Sequence, residues 1–122
     1  MKRQIIAVVD DMFFASKIRA TAEHLGVDLR FARSLDGLLS AAHERMPALI
    51  IVDLHAQKCD PFALAASLKS DAGMRAIPLV GFFSHVQIAL MRQAQAAGFE
   101  RVMPRSAFTK QLPEILQGSN EV

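Results

Sequence analysis

The chain has 122 residues, a net charge of +2, one cysteine and a hydrophobic fraction of 52%. That suffices for one domain with a real core and leaves little for a second. It excludes an internal disulfide and a membrane span of roughly 18–20 apolar residues, and the charge is too small to argue for nucleic acid by itself.

The elements follow in chain order. Met1–Lys2–Arg3–Gln4 is basic, but it leads into a short apolar run that Asp10 and Asp11 interrupt, which is not a secretory signal. That run, Ile5–Val9, reads as a strand buried on both faces. Residues 12–25 carry Phe14, Ile18, Ala22 and Leu25 at helical spacing, and Gly26 ends this helix. Val27–Phe31 alternates as a second strand. Ser34 caps a second helix through about Met46, where Pro47 stops it. Ala48–Val52 is the third strand, closed by Asp53. Pro61 starts a third helix at a favoured first position. Ile77–Phe83 is the fourth strand, led in by Pro78. Ser84 opens and caps a fourth helix through about Ala97, ended by Gly98. Arg101–Met103 is a short fifth strand. Ser106 caps a last helix through about Gln117, with Pro113 expected to bend it, and residues 118–122 read as a frayed tail. The whole of 1–122 is expected to be a single domain, without internal repeat or linker.

Five strands alternating with helices predict an α/β fold with a doubly wound parallel sheet. The order 2-1-3-4-5 is one common arrangement. In that order the first and third strands are neighbours at the topological switch point. Asp10, Asp11 and Asp53 all stand where those strands leave the sheet, so three carboxylates are expected at one edge. Such a cluster repels itself unless a cation joins it. It points to a divalent-metal site, a phosphoryl-transfer site, or both. A nucleotide-binding enzyme of flavodoxin-like build is disfavoured. Asp11–Met12–Phe13 stands where a glycine-rich phosphate loop would be.

These residues carry a resemblance. Over essentially its whole length the chain resembles a response-regulator receiver domain of two-component signalling. The acid pair is Asp10 and Asp11, the acceptor position is Asp53 in Ile51–Val52–Asp53–Leu54, and the hydroxyl position is Ser84. Ala97–Gly98–Phe99–Glu100 matches the segment before the fifth strand. The resemblance implies a flavodoxin-like receiver fold and Mg2+ (or Mn2+) on Asp10, Asp11, Asp53 and the backbone carbonyl of His55. It implies phosphoryl transfer to Asp53 from a sensor histidine kinase or phosphotransfer protein. Ser84 would hydrogen-bond the phosphoryl group. The output would be altered protein–protein contact through the face built from the fourth helix, fifth strand and fifth helix, a face through which the family often homodimerises. It implies a cytoplasmic signalling domain rather than an enzyme in its own right, with no direct nucleic-acid or membrane contact.

Five positions depart from the pattern. Arg105 falls where the family has lysine, with Pro104 before it rather than proline after it. Its rival readings are phosphate binding and an ion pair with Asp53 or Asp11 that locks one state without phosphate. His85 follows Ser84 where a small residue is usual, a gate over the acceptor. Val102 replaces the aromatic switch residue. Gln57 and Pro61 replace a proline and a glycine in the loop after Asp53. The alternative they support is a phosphorylation-independent pseudo-receiver, acting as a binding or dimerisation module. Cys59 reads as an inert small residue, and scattered histidines make zinc improbable.

Overall fold

The computed structural model describes residues 3–84 and 87–118. Strands and helices alternate through β1 (Gln4–Val8), α1 (Met12–Leu25), β2 (Asp28–Phe31), α2 (Leu35–Glu44) and β3 (Leu49–Asp53). They continue through α3 (Pro61–Lys69), β4 (Leu79–Phe83), α4 (Ile88–Ala97), β5 (Arg101–Pro104) and α5 (Arg105–Gln117). The sheet is parallel throughout, in the order β2-β1-β3-β4-β5.

The strand sequences explain this layering. β1, β3 and β4 are buried at every position, whereas the outer strands β2 and β5 are partly exposed. Side chains alternate across a strand, so each central strand feeds two cores. Ile6, Val8, Ile50, Val52, Leu79 and Phe83 pack with Leu38, Leu64, Leu68 and Ala94, from α2, α3 and α4. Ile5, Ala7, Leu49, Ile51, Val80 and Phe82 pack with Phe14, Ile18, Phe108 and Leu112, from α1 and α5. Helices therefore cover both faces. No helix among the described residues is long and apolar enough to cross a membrane.

Several boundaries differ from the sequence expectation. Ser34 caps α2 as expected, its Oγ accepting the Gly37 N–H, but the helix ends at Glu44. Pro61 opens α3, with Asp60 as the capping residue. β4 starts at Leu79, because Pro78 has no N–H for the ladder; its carbonyl still accepts from Ile50. Ser84 does not cap α4: that helix starts at Ile88 behind Gln87, which makes no side-chain capping bond. Ser106 does not cap α5 either. β5 runs directly into α5 at Arg105, with Pro104 as the capping residue, so the expected loop is absent here. Pro113 lies inside α5 without ending it; buried Leu112, Ile115 and Leu116 hold that stretch on the sheet.

The register fixes the functional edge. Val8 lies beside Val52, and Asp53 beside Phe82. The chain leaving β1 and the end of β3 thus emerge side by side, at the switch point where ligands of open α/β sheets bind.

Candidate functional site

Each acid at this edge has a definite set of partners. Asp11 is the N-cap of α1: its backbone is extended, and Oδ1 accepts the Phe13 and Phe14 N–H groups at 2.9 and 3.1 Å. Its Oδ2 accepts from Arg105 Nη2 at 3.0 Å. The Phe14 N–H and the Arg105 guanidinium hold the Asp11 carboxyl below its ordinary value. Asp10 turns toward the segment after β3, where Oδ2 accepts the Gln57 N–H at 2.8 Å and a longer contact from the Lys58 N–H at 3.5 Å. Asp53 is only 9% exposed. Its Oδ1 accepts the His55 N–H at 2.9 Å, closing a tight turn at the end of β3. Burial pushes the Asp53 carboxyl up, and the neighbouring charge of Asp10 adds to this; His55 and Arg105 act the other way.

Arg105 is the cation of the site. As the first residue of α5 it reaches across to α1, with its guanidinium carbon 3.9 Å from the centroid of the Phe14 ring. Phe14 is itself held edge-on by Phe82 at 5.1 Å and tilted against Phe108 at 5.9 Å, and Phe82 and Phe108 stack at 4.7 Å. A shallow cleft of about 320 Å3 lined by Phe13, Phe14, Lys17, Arg105 and Thr109 opens Arg105 to solvent. Phe13 stands outward at 90% exposure.

The structure therefore brings Asp10, Asp11, Asp53 and Arg105 to one edge, but turns the three carboxylates to different partners. Ser84 follows β4 at the same edge and is exposed. His85, the expected gate, lies outside the described residues. Val102 lies in β5 and packs toward the α4 side of the sheet. The resemblance implies a metal seat on these acids. Three carboxylates and a carbonyl suit a hard divalent cation by chemistry. Yet among the described residues no three Asp, Glu, His or Cys side chains are arranged to hold one. Asp11 spends three of its acceptor positions on two N–H groups and a guanidinium, and Asp10 faces the Gln57 N–H.

The sequence reading missed the Arg105–Phe14 stack. It placed Phe14 in the core and Arg105 at the site separately, with no pattern linking residues so far apart in the chain. The capping role of Asp11 was there to be read, since an Asp directly before a helical pattern is a capping signal.

No family model matches the sequence, and no curated protein matches it. Solved structures match over nearly the full length. The phosphorylated cyanobacterial phytochrome response regulator RcpA is 20% identical, with 99% of this chain and 93% of that one covered at a TM-score of 0.79. Chemotaxis response regulator CheY4 of Vibrio cholerae is 15% identical, with 97% and 98% covered at 0.81. The receiver domain of NtrX from Brucella abortus is 22% identical, with 97% and 98% covered at 0.80.

The chain has the receiver-domain fold. The strand order and the alternation of five strands with five helices match the sequence expectation.

Proposed function

We propose that this receiver accepts a phosphoryl group on Asp53 and signals through altered protein–protein contact. The observation that carries the reading is Asp53 itself. It is a nearly buried carboxylate at the end of a central strand, at the switch point, within the electrostatic reach of Arg105. Burial outweighs the opposing pull of His55 and Arg105, which makes the carboxylate more basic and hence a better nucleophile.

The donor is a phosphohistidine of a sensor kinase or phosphotransfer protein. The His55 N–H holds Oδ1, which leaves Oδ2 to attack phosphorus. A P–O bond forms to Asp53, the P–N bond breaks, and its electron pair returns to the donor imidazole nitrogen. Arg105, once off Asp11, carries a planar fork suited to phosphoryl oxygens. The Ser84 hydroxyl supplies a further donor from the end of β4. Because Arg105 opens α5, its movement is felt on the α4–β5–α5 face, where a downstream protein or a second copy of the chain would bind. At rest Asp10, Asp11 and Asp53 face different partners, and among the described residues they form no preassembled ligand cluster for Mg2+ or Mn2+.

The test is incubation with acetyl phosphate or a cognate phosphohistidine donor in the presence of Mg2+, read by intact mass. One phosphoryl group on the wild type and none on D53N is expected. An unmodified wild type overturns the reading.

One observation favours a second reading, the phosphorylation-independent binding module. The Asp11–Arg105 pair already neutralises part of the pocket without phosphate. Full partner binding by D53A, with no response to phosphodonor, would select it.

A further inference from the structure

We infer that Arg105 is the resting cation of the acidic pocket, and that its clamp between Asp11 and Phe14 closes the seat a divalent metal would take. The inference rests on the receiver reading of this pocket and adds a gate to it.

Asp11 and Phe14 lie three residues apart at the start of α1, so they rise on the same side of the helix. The Phe14 backbone N–H donates to Asp11 Oδ1, and the Phe14 ring lies under the guanidinium that holds Oδ2. One residue thus supports both halves of the pair. The ring cannot slide away, because Phe82 and Phe108 grip it from β4 and α5. Arg105 is equally constrained: Pro104, with its fixed φ of −63°, passes the chain straight into α5 with Arg105 as its first residue.

A hard cation at this edge needs a carboxylate oxygen of Asp11. Both oxygens already accept, and the group on Oδ2 is positive. Metal and guanidinium would meet at the same oxygen as like charges. Entry of the metal therefore requires Arg105 to lift off Phe14. The clamp is shallow enough to open, since the Arg105 and Asp11 side chains retain 34% and 40% of their exposure. Such half-exposed pairs are weak. The same lifting frees Arg105 for phosphoryl oxygens on Asp53, so metal entry and readiness for transfer become one event.

Mn2+ titration of the full chain, followed by water-proton relaxation, tests the gate without any phosphodonor. R105A removes a positive charge and would tighten Mn2+ binding on electrostatic grounds alone. The informative variants keep every charge. F14L removes the platform, and R105K replaces a planar stacking cation by a compact, strongly hydrated one. Each is expected to bind Mn2+ roughly three- to tenfold more tightly than the wild type. Circular dichroism checks that each is folded, and R105K, at a half-exposed position, carries the test if F14L is not. Wild-type Mn2+ affinity in the folded charge-preserving variants overturns the clamp, even if R105A binds more tightly. Phosphorylation is scored separately. An Asp53 that stays unmodified while the Mn2+ ranking holds would remove the acceptor reading and leave the clamp. A modified Asp53, with F14L and R105K binding Mn2+ no more tightly than the wild type, would do the reverse.

Discussion

Gly98→Ala probes the knot that ties the fifth strand to the rest of the sheet. Gly98 ends α4 at φ +108°, a conformation that costs an L-residue about 1–2 kcal/mol. A Cβ there would lie 2.8 Å from Lys69 Cε and 3.0 Å from Lys69 Cγ, so the lysine must move. That lysine is tied down. Its Nζ donates to Glu100 Oε1 at 2.6 Å and to the Arg75 carbonyl at 3.1 Å, while Glu100 Oε2 accepts the N–H of Leu79, the first residue of β4. Losing a partly exposed ion pair adds up to about 1 kcal/mol. The total is about 1–3 kcal/mol, which for a chain of this length lowers the melting temperature by about 5–15 °C. Thermal denaturation by far-UV circular dichroism is the assay, since the chain has neither Trp nor Tyr. K69A and the G98A/K69A double variant complete a cycle. If crowding of Lys69 contributes, the double variant loses less than the sum of the singles. A G98A melting temperature within about 2 °C of wild type would refute the reasoning, and strict additivity would refute the Lys69 part of it.

Two further outcomes follow from the buried groups. The folded-state pKa of Asp53 is raised above 3.8, so its contribution to stability is fully present below 3.8 and is lost as pH rises through the folded value. D53N is therefore expected to be more stable than wild type at neutral pH, with the gap closing near roughly pH 4 in denaturant titrations; equal stability at neutral pH would contradict this. Cys59 is 2% exposed and its thiol is pushed up by burial and by the charges of Asp60 and Asp10. Reaction with a disulfide reagent should be slow in the native protein and fast in denaturant; rapid native labelling would show that the loop beneath Asp10 opens readily.

Much of the fold could be read from the chain because its signals are local. Ile5–Val9 and Ala48–Val52 are apolar without alternation, as strands covered on both faces must be. Gly26 and Gly98 stop their helices in the left-handed region, as expected. Local capping signals were less decisive where tertiary structure intervened. Ser84 and Ser106 both resemble caps, yet β4 is followed by a longer connection before α4, and β5 passes into α5 with no connection at all. The site was legible in its members but not in its pairing. Asp10, Asp11, Asp53 and Arg105 were all named, and the Asp11–Arg105 pair was one of two readings. What the sequence could not carry was direction. Asp10 faces the Gln57 N–H because the segment after β3 folds over it, and Arg105 lies on Phe14 because α1 and α5 share one face of the sheet. Both depend on contacts between residues distant in the chain.

The central claim is that Asp53 is a phospho-acceptor in a pocket that Arg105 holds shut at rest. The most direct measurement is the rate of Asp53 phosphorylation by acetyl phosphate with Mg2+, followed by intact mass, in wild type, F14L and D53N. The account predicts a single phosphoryl group on wild type, faster modification of F14L and none on D53N. An unmodified Asp53 in both wild type and folded F14L would contradict it.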